Sequence, residues 1–263
     1  MAQQAERSGI GGTYKVTDAQ VEEIQQRGCL ELRGVLSPAE IAAYRPALCD
    51  YVMDCRRNMN EMERAVGASS TETIFSIAKA PPAVVEFVTS PRLGEIAARA
   101  LGVEAVRLLH FSGFFKPGGG LPTPWHQDLT YMPLDTDKVV SIWVPLTDLT
   151  PEMGGLRFAA GSHLHGELQP HRDQPRFPLV QHGTMRAGDV LLHMGWTIHS
   201  SLENSSTKMR EVITIGYYAD GARIQVRGSA PIIRSFINTY FAGRQAGDLA
   251  EGPLNPVVFR RTS

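Results

Sequence analysis

The sequence predicts a mainly β protein with flanking helices: an antiparallel sandwich or barrel, one sheet of which is covered by helices from the N-terminal third. Three observations carry this. After Gly102, short apolar runs recur near 105–116, 139–146, 156–159, 189–194 and 211–219, punctuated by Gly, Pro, Asn and Asp. Before Gly102 the pattern is helical, with start and stop signals in place. The 263 residues, 43% hydrophobic and 20% charged, suit one large domain with a sizeable core.

The front elements follow from local chemistry. TDAQVEEIQQR, residues 17–27, reads as a helix capped by Thr17 or Asp18 and stopped by Gly28. CLELRGV, residues 29–35, alternates like a short strand. Ser37-Pro38-Ala39-Glu40 is a capping box with proline in the first turn, opening a helix to about Arg57. Residues 58–80 carry no decisive pattern. A third helix is expected from about Pro82 to Leu101, with a break at Pro91 and a stop at Gly102.

Composition excludes several classes. Lys plus Arg total 26 against 27 Asp plus Glu, a net charge of -1, so the basic excess of a nucleic-acid binder is missing. No apolar run approaches the ~18–20 residues of a membrane span, and MAQQAERSGIGG lacks the apolar core of a secretory signal. Three cysteines without a CxxC spacing read as reduced, mostly buried thiols in a cytoplasmic chain. One domain is expected over 1–263: a helical part at about 14–102, a strand-rich core at about 103–220, and a C-terminal lid or extension at about 221–263.

The chemistry concentrates on histidines. His-x-carboxylate occurs at His126-Gln127-Asp128, His165-Gly166-Glu167 and His171-Arg172-Asp173. The third sits among Pro170, Pro175 and Pro178 and the second follows GSH, so both read as loops. The first follows a strand and a Gly-rich turn, KPGGG. On a strand, residues two apart share a face, so His126 and Asp128 would point inward together. A third ligand must return from another strand. His199 is a candidate and His193 its competitor, with Gly195 expected to break the strand between them. Two His and one carboxylate on one octahedral face suit Fe(II) and leave three positions open. Arg210 lies eleven residues after His199, at the start of REVITIGYY, where Arg210, Val212 and Thr214 share one face. An arginine aimed into an apolar barrel requires an anion, which a dicarboxylate supplies bidentately.

At this point WHQDL, SIWVPL, GGLRFAAGSH, GDVLLHMGWTIHSS and ENSSTKMR, taken in order, resemble the phytanoyl-CoA dioxygenase family of Fe(II)/2-oxoglutarate oxygenases. VTDAQVEEIQQRGCLELRGVLSPAEI resembles that family's helix–strand–helix opening, and the likeness covers roughly residues 14–220. It implies a double-stranded β-helix, the jelly-roll or cupin-like core. It implies His126, Asp128 and His199 as iron ligands, Arg210 and Ser201 as holders of the distal carboxylate of 2-oxoglutarate, and Trp143 as a wall of that pocket. Ala160 departs from the proline usual before GSH, which touches a turn only. Asp128 is present where related halogenases have a small residue, so the resemblance points away from halogenation.

The implied reaction is oxidative decarboxylation of 2-oxoglutarate to succinate and CO2. It consumes dioxygen and is coupled to oxidation of an unactivated C–H bond, most simply hydroxylation, with desaturation and ring closure as the alternatives. His110, Tyr131 and Met132 are candidates for the substrate wall. The loop at 129–138 and the segments 58–80 and 221–245 are candidate pocket walls, the last as a lid. No cationic cluster fit for the phosphates of CoA is visible beyond Arg56-Arg57 and Arg260-Arg261, which favours a small-molecule substrate of secondary metabolism. Two other classes compete: a metal-dependent isomerase or hydrolase on the same barrel, and a non-catalytic small-molecule binding module. Arg210 and Ser201 weigh against the first, and the full ligand set against the second.

Overall fold

Capping chemistry sets the front helices. The computed structural model describes residues 10–58, 72–75, 77–226 and 231–262. Helix α1 (Asp18–Arg27) starts where Thr17 Oγ1 accepts the Gln20 amide and the Gln20 side chain accepts the Thr17 amide. Gly28 ends it at φ 73°, where a Cβ would also fall 2.4 Å from the His163 ring. Helix α2 (Pro38–Arg57) repeats the device with Ser37 and Glu40. Its buried stripe of Ile41, Tyr44, Leu48 and Val52 packs on the large sheet. Each fully buried aliphatic side chain there contributes about 1.5–3 kcal/mol. The expected third helix is two, α3 (Pro82–Val88) and α4 (Pro91–Leu101), because Pro91 has no amide to continue the first.

Eleven strands are found among the described residues: β1 (Cys29–Leu32), β2 (Glu72–Phe75), β3 (Ala105–Phe114), β4 (Thr123–His126), β5 (Val139–Pro145), β6 (Leu156–Ala159), β7 (Leu179–Gln181), β8 (Val190–Met194), β9 (His199–Ser201), β10 (Val212–Ala219) and β11 (Val257–Arg260). All pairings are antiparallel. The large sheet runs β1-β8-β5-β10-β3-β11, with β2 also on β3, and the small sheet runs β4-β9-β6-β7. Period-two burial sorts the large sheet's faces. Val140, Ile142, Val144, Ile213, Ile215 and Leu192 join the helices in one core. Ser141, Trp143, His193 and Thr214 face the cavity between the sheets.

Several expectations need correction. The strand expected over 29–35 stops at Leu32, because the chain turns at Gly34 (φ 62°), whose amide donates to Asp189 at 2.8 Å. Within 58–80, residues 72–75 form β2 and 77–79 a 3-10 turn, while 59–71 lie outside the described residues. The front and back segments are more than helices and lid: β1, β2 and β11 all extend the large sheet. Helix α5 (Pro170–Asp173) is a single turn, and helix α6 (Pro231–Tyr240) belongs to the expected lid segment. Cys29 is buried, but Cys49 and Cys55 are half-buried, since α2 presents them beside its core stripe; all three thiols are free. Among the described residues no helix is long and apolar enough to cross a membrane.

Candidate active site

Two sheets meet around a cavity of about 380 Å³, and the histidines converge on its floor. His126 ends β4 and pairs in register with His199 of β9. Asp128 was expected on the same strand as His126. It lies instead at the start of a 3-10 turn, Asp128–Tyr131, because β4 pairs with β9 only as far as His126. Gln127 between them is still extended (φ -123°, ψ 127°), so the inward parity survives. Gln127 points away and is tied to Gly166 O, Trp196 O and the Leu168 amide, which locks the turn.

Donor atoms of His126, Asp128 and His199 all lie within 4.8 Å of one another. Asp128 Oδ1 is 3.4 Å from His126 Nε2 and 3.5 Å from His199 Nε2. Adjacent ligands around an octahedral first-row ion, each about 2.1 Å from it, are about 3 Å apart, so the spacing suits one cation. The protonation states agree. Nδ1 of His126 faces Pro124 O and Nδ1 of His199 faces Thr197 O, each at 2.9 Å. A carbonyl there demands N–H at Nδ1 and leaves the Nε2 lone pair free. Burial, then the neighbouring His126 and His193, hold His199 well below its usual pKa, hence neutral. Burial alone would raise the Asp128 carboxyl. The surrounding histidines outweigh it, His199 first and then His126 and His193, and hold Asp128 well below the usual carboxylate range.

His193, the sequence-level rival of His199, lies on the other sheet. Strand β8 ends at Met194 and Gly195 follows, so the expected break is real. His193 Nε2 reaches Asp128 Oδ2 at 3.0 Å, and Ser141 Oγ donates to the same oxygen at 2.9 Å. One carboxylate oxygen is thus held from behind while the other faces the two imidazoles.

Arg210 lies just outside β10, in a bridge with Lys116, rather than opening the strand. Its guanidinium is buried, donates to Gly154 O through Nη1, and sits 5.5 Å over the Trp143 ring. Burial lowers its pKa from the ordinary arginine value to about 9, so it stays charged at neutral pH. Among the described residues no carboxylate pairs with it, and its Nε has no partner. Thr214 Oγ1, Ser112 Oγ and His110 Nδ1 are also buried without partners, and all three residues line the same cavity. Four orphaned polar groups in one cavity fit a polar ligand there.

Residues 24–212 match the phytanoyl-CoA dioxygenase (PhyH) family. The chain belongs to that family. Relatives in that family are named phytanoyl-CoA and alpha-ketoglutarate-dependent dioxygenases, and this chain carries a His–Asp–His cluster able to hold a metal. A probable alpha-ketoglutarate-dependent hypophosphite dioxygenase of Stutzerimonas stutzeri is 28% identical over 158 residues. That alignment covers 53% of this chain and 54% of the relative, so the chain spans about half the length of that protein. Phytanoyl-CoA dioxygenase domain-containing protein 1 of Danio rerio is 26% identical over 76% of this chain and 89% of its own. Among solved structures, the non-heme alpha-ketoglutarate-dependent carbocyclase SnoK from nogalamycin biosynthesis superposes with TM-score 0.77 and 25% identity. It covers 94% of this chain and 99% of its own.

The other sequence-selected residues of this phytanoyl-CoA dioxygenase family member also reach the cavity. Ser201 and Trp143 line it, as do His110, Tyr131 and Met132. Met132 is buried and Tyr131 is 45% exposed, at the rim. His110 faces inward on the parity of Ser112 and Phe114 of β3, and the bulge opposite Gly216 and Tyr217 falls just before it, sending Leu108 to the helix-side core. Burial lowers His110 to about 4, so it is neutral. Its ring packs edge-on against Phe236 of α6 at 5.6 Å, which brings the expected lid segment to the cavity wall. His165, His171 and Asp173 do not line it. Sequence reading missed Ser141, Thr123, Phe236 and Lys116. Lys116 is fully buried, donates to Ser201 Oγ at 2.8 Å, and has no sequence signal beyond preceding PGGG.

Proposed function

We propose that this chain uses Fe(II), 2-oxoglutarate and dioxygen to oxidise, most simply to hydroxylate, an unactivated C–H bond of a small molecule of secondary metabolism, releasing succinate and CO2. The observation that carries the reading is the buried Arg210 guanidinium, with no carboxylate partner among the described residues, in the same cavity as the His126–Asp128–His199 cluster. A hydrolase or isomerase of this architecture that does not use 2-oxoglutarate needs the metal donors but has no use for that cation. In this reading the two facing sheets are a double-stranded β-helix, and the enzyme works in the cytoplasm.

His126, Asp128 and His199 hold the iron, and His193 and Ser141 orient Asp128 so that one oxygen faces the metal. Arg210 grips the distal carboxylate of the co-substrate, with Ser201 beside it and Trp143 as the wall that fixes the guanidinium plane. Iron, once bound, activates dioxygen for the coupled decarboxylation and C–H oxidation. The protein's part is placement and exclusion of water. Phe114, Met132 and Phe236 make the remaining wall apolar, and His110 offers a neutral ring nitrogen to a polar atom of the substrate. The cavity must hold the co-substrate as well, which suits a compact, mostly hydrocarbon substrate.

The test is anaerobic addition of Fe(II) and then 2-oxoglutarate to the full chain, read by visible absorption. A metal-to-ligand charge-transfer band that depends on both additions is expected. Metal binding with no such band at saturating 2-oxoglutarate would return the chain to the isomerase, hydrolase or binding-module readings.

A further inference from the structure

Two basic side chains are buried close together, Arg210 lining the cavity and Lys116 behind Ser201, and only Arg210 has been given a role. Lys116 follows β3, and its backbone exchanges hydrogen bonds with Arg210 in both directions: Lys116 N to Arg210 O at 2.9 Å and Arg210 N to Lys116 O at 2.8 Å. The side chain is fully buried. Nζ donates to Ser201 Oγ at 2.8 Å and to Leu202 O at 2.7 Å, both neutral acceptors. Ser201 Oγ donates onward to Thr123 Oγ1 at 2.9 Å, and both hydroxyls line the cavity.

Among the described residues, none with a negative charge faces Lys116. The 118–120 turn covers its stem so closely that a Cβ on Gly120 would lie 2.5 Å from Lys116 Cγ. Strand β9 and the loop after it contribute Ser201, Leu202 and Asn204, whose amide donates to Lys116 O. Just before β10 comes Arg210, whose charge bears on the ammonium. Among the described residues no carboxylate lies within 4.0 Å of Nζ. Burial first, and the Arg210 charge second, bring Lys116 down from 10.5 to about 7. A buried ammonium with only neutral acceptors takes its charge state from whatever anion binds beside it.

We propose that Lys116 takes up a proton as the dicarboxylate co-substrate binds at Arg210 and Ser201, so that affinity for 2-oxoglutarate is gated by pH through Lys116. The inference rests on the reading of Arg210 as the co-substrate anchor. An anion at Arg210 and Ser201 places negative charge next to Nζ and favours the ammonium. Below about pH 7 Lys116 is charged before binding, no proton moves, and affinity is at its maximum. Above that, the proton must come from solvent. Affinity then falls roughly tenfold per pH unit until the raised value of the bound state is passed. Lys116 is a positioning residue. It acts through the Ser201 hydroxyl, whose oxygen it occupies so that the Ser201 proton points toward Thr123 and the cavity.

The experiment is calorimetry of 2-oxoglutarate binding to the anaerobic, Fe(II)-loaded full chain at pH 6 and pH 8, in buffers of different ionisation enthalpy. The same titrations are followed by tryptophan fluorescence, since Trp143 lines the site. Uptake of about 0.1 proton at pH 6 and about 0.9 at pH 8 is expected. Lys116→Met should bind with no uptake and a flat pH profile, its folding checked by thermal melting. Lys116→Arg should keep the low-pH affinity at both pH values. Binding at pH 8 without proton uptake by the unmutated protein overturns the proposal whether or not the variants fold, and so does equal uptake by Lys116→Met. No binding of 2-oxoglutarate at either pH would sink the co-substrate reading, and this one with it.

Discussion

Replacing Arg210 by methionine should make the empty protein more stable and the co-substrate-bound protein less so. Burial moves Arg210 from the ordinary arginine value down to about 9. A tenfold change in proton affinity is about 1.4 kcal/mol, so keeping the charge in place costs on the order of 4–5 kcal/mol. Two interactions offset this. One is the hydrogen bond from Nη1 to Gly154 O, worth about 1.5–3 kcal/mol for a charged donor. The other is the stack on Trp143 at 5.5 Å, worth about 0.5–1 kcal/mol. Methionine removes all three contributions and fills much of the volume, leaving a net gain on the order of 1–2 kcal/mol. For a domain of this size that raises Tm by roughly 2–8 °C. With 2-oxoglutarate the order reverses. The natural protein gains about 2.7 kcal/mol at a hundredfold excess over Kd. The variant, lacking a bidentate partner worth about 2–5 kcal/mol, binds some 30-fold to several thousand-fold more weakly and gains almost nothing. Scanning calorimetry of both Fe(II)-loaded proteins with and without 2-oxoglutarate should show the two melting orders cross. If Arg210→Met melts several degrees below the natural protein in the absence of 2-oxoglutarate, the guanidinium is satisfied by the protein itself and the reasoning fails.

The remaining predictions address metal, wall and scaffold. His126→Ala, Asp128→Ala and His199→Ala should each lose iron and turnover, whereas His193→Ala should keep one iron with about 10–100-fold weaker affinity, because it only orients Asp128. Metal analysis decides, and iron lost from the His193 variant but kept in the His199 variant would reverse the assignment. Tyr131→Phe and Met132→Ala should change product regiochemistry, or release succinate without matching product, while 2-oxoglutarate affinity stays within about twofold. Identical product profiles and coupling in both would move the selective wall to Phe236 on α6. Gly188→Ala should cost at least about 3 kcal/mol, a drop of roughly 6 °C or more in Tm. Gly188 sits at φ +89° and a Cβ there would lie 2.2 Å from Leu36 O, so an unchanged melting curve would contradict the turn geometry.

What could be read from the sequence was what local rules determine. The Thr17–Gln20 and Ser37–Glu40 boxes and the stop at Pro91 depend on a few neighbouring residues, and they appear in place. The shared face of Arg210 and Thr214 needed only the period of an extended chain. Long-range pairing was the blind spot. His193 and His199 have the same extended parity, and only their membership of different sheets separates a group behind Asp128 from one beside it. Leu108 joins the helix-side core through a one-residue bulge in β3, which leaves no mark on hydrophobic alternation. Lys116 reads as an ordinary lysine before a turn until strand β9, some 85 residues on, closes over it.

The same division separates the chemistry from the choice of substrate. His126, His199 and Ser201 stand on paired strands of the small sheet, and Trp143, Ser141 and His193 on paired strands of the large one, so each is held by ladders on the backbone. Asp128 and Arg210, just outside strands, are fixed by Ser141 and His193 and by the Lys116 bridge. The rest of the wall is different. Tyr131 and Met132 lie in and just after a single 3-10 turn, and Phe236 is on α6, outside both sheets. A methionine and a phenylalanine on such segments can be exchanged without disturbing a ladder, whereas a metal donor cannot move by half an ångström without losing the cation. Substitutions must therefore separate in kind. Changes on the paired strands should act on metal and co-substrate binding whatever the substrate. Changes at 131, 132 and 236 should act on which bond is oxidised, with the charge-transfer signature of the bound co-substrate left intact.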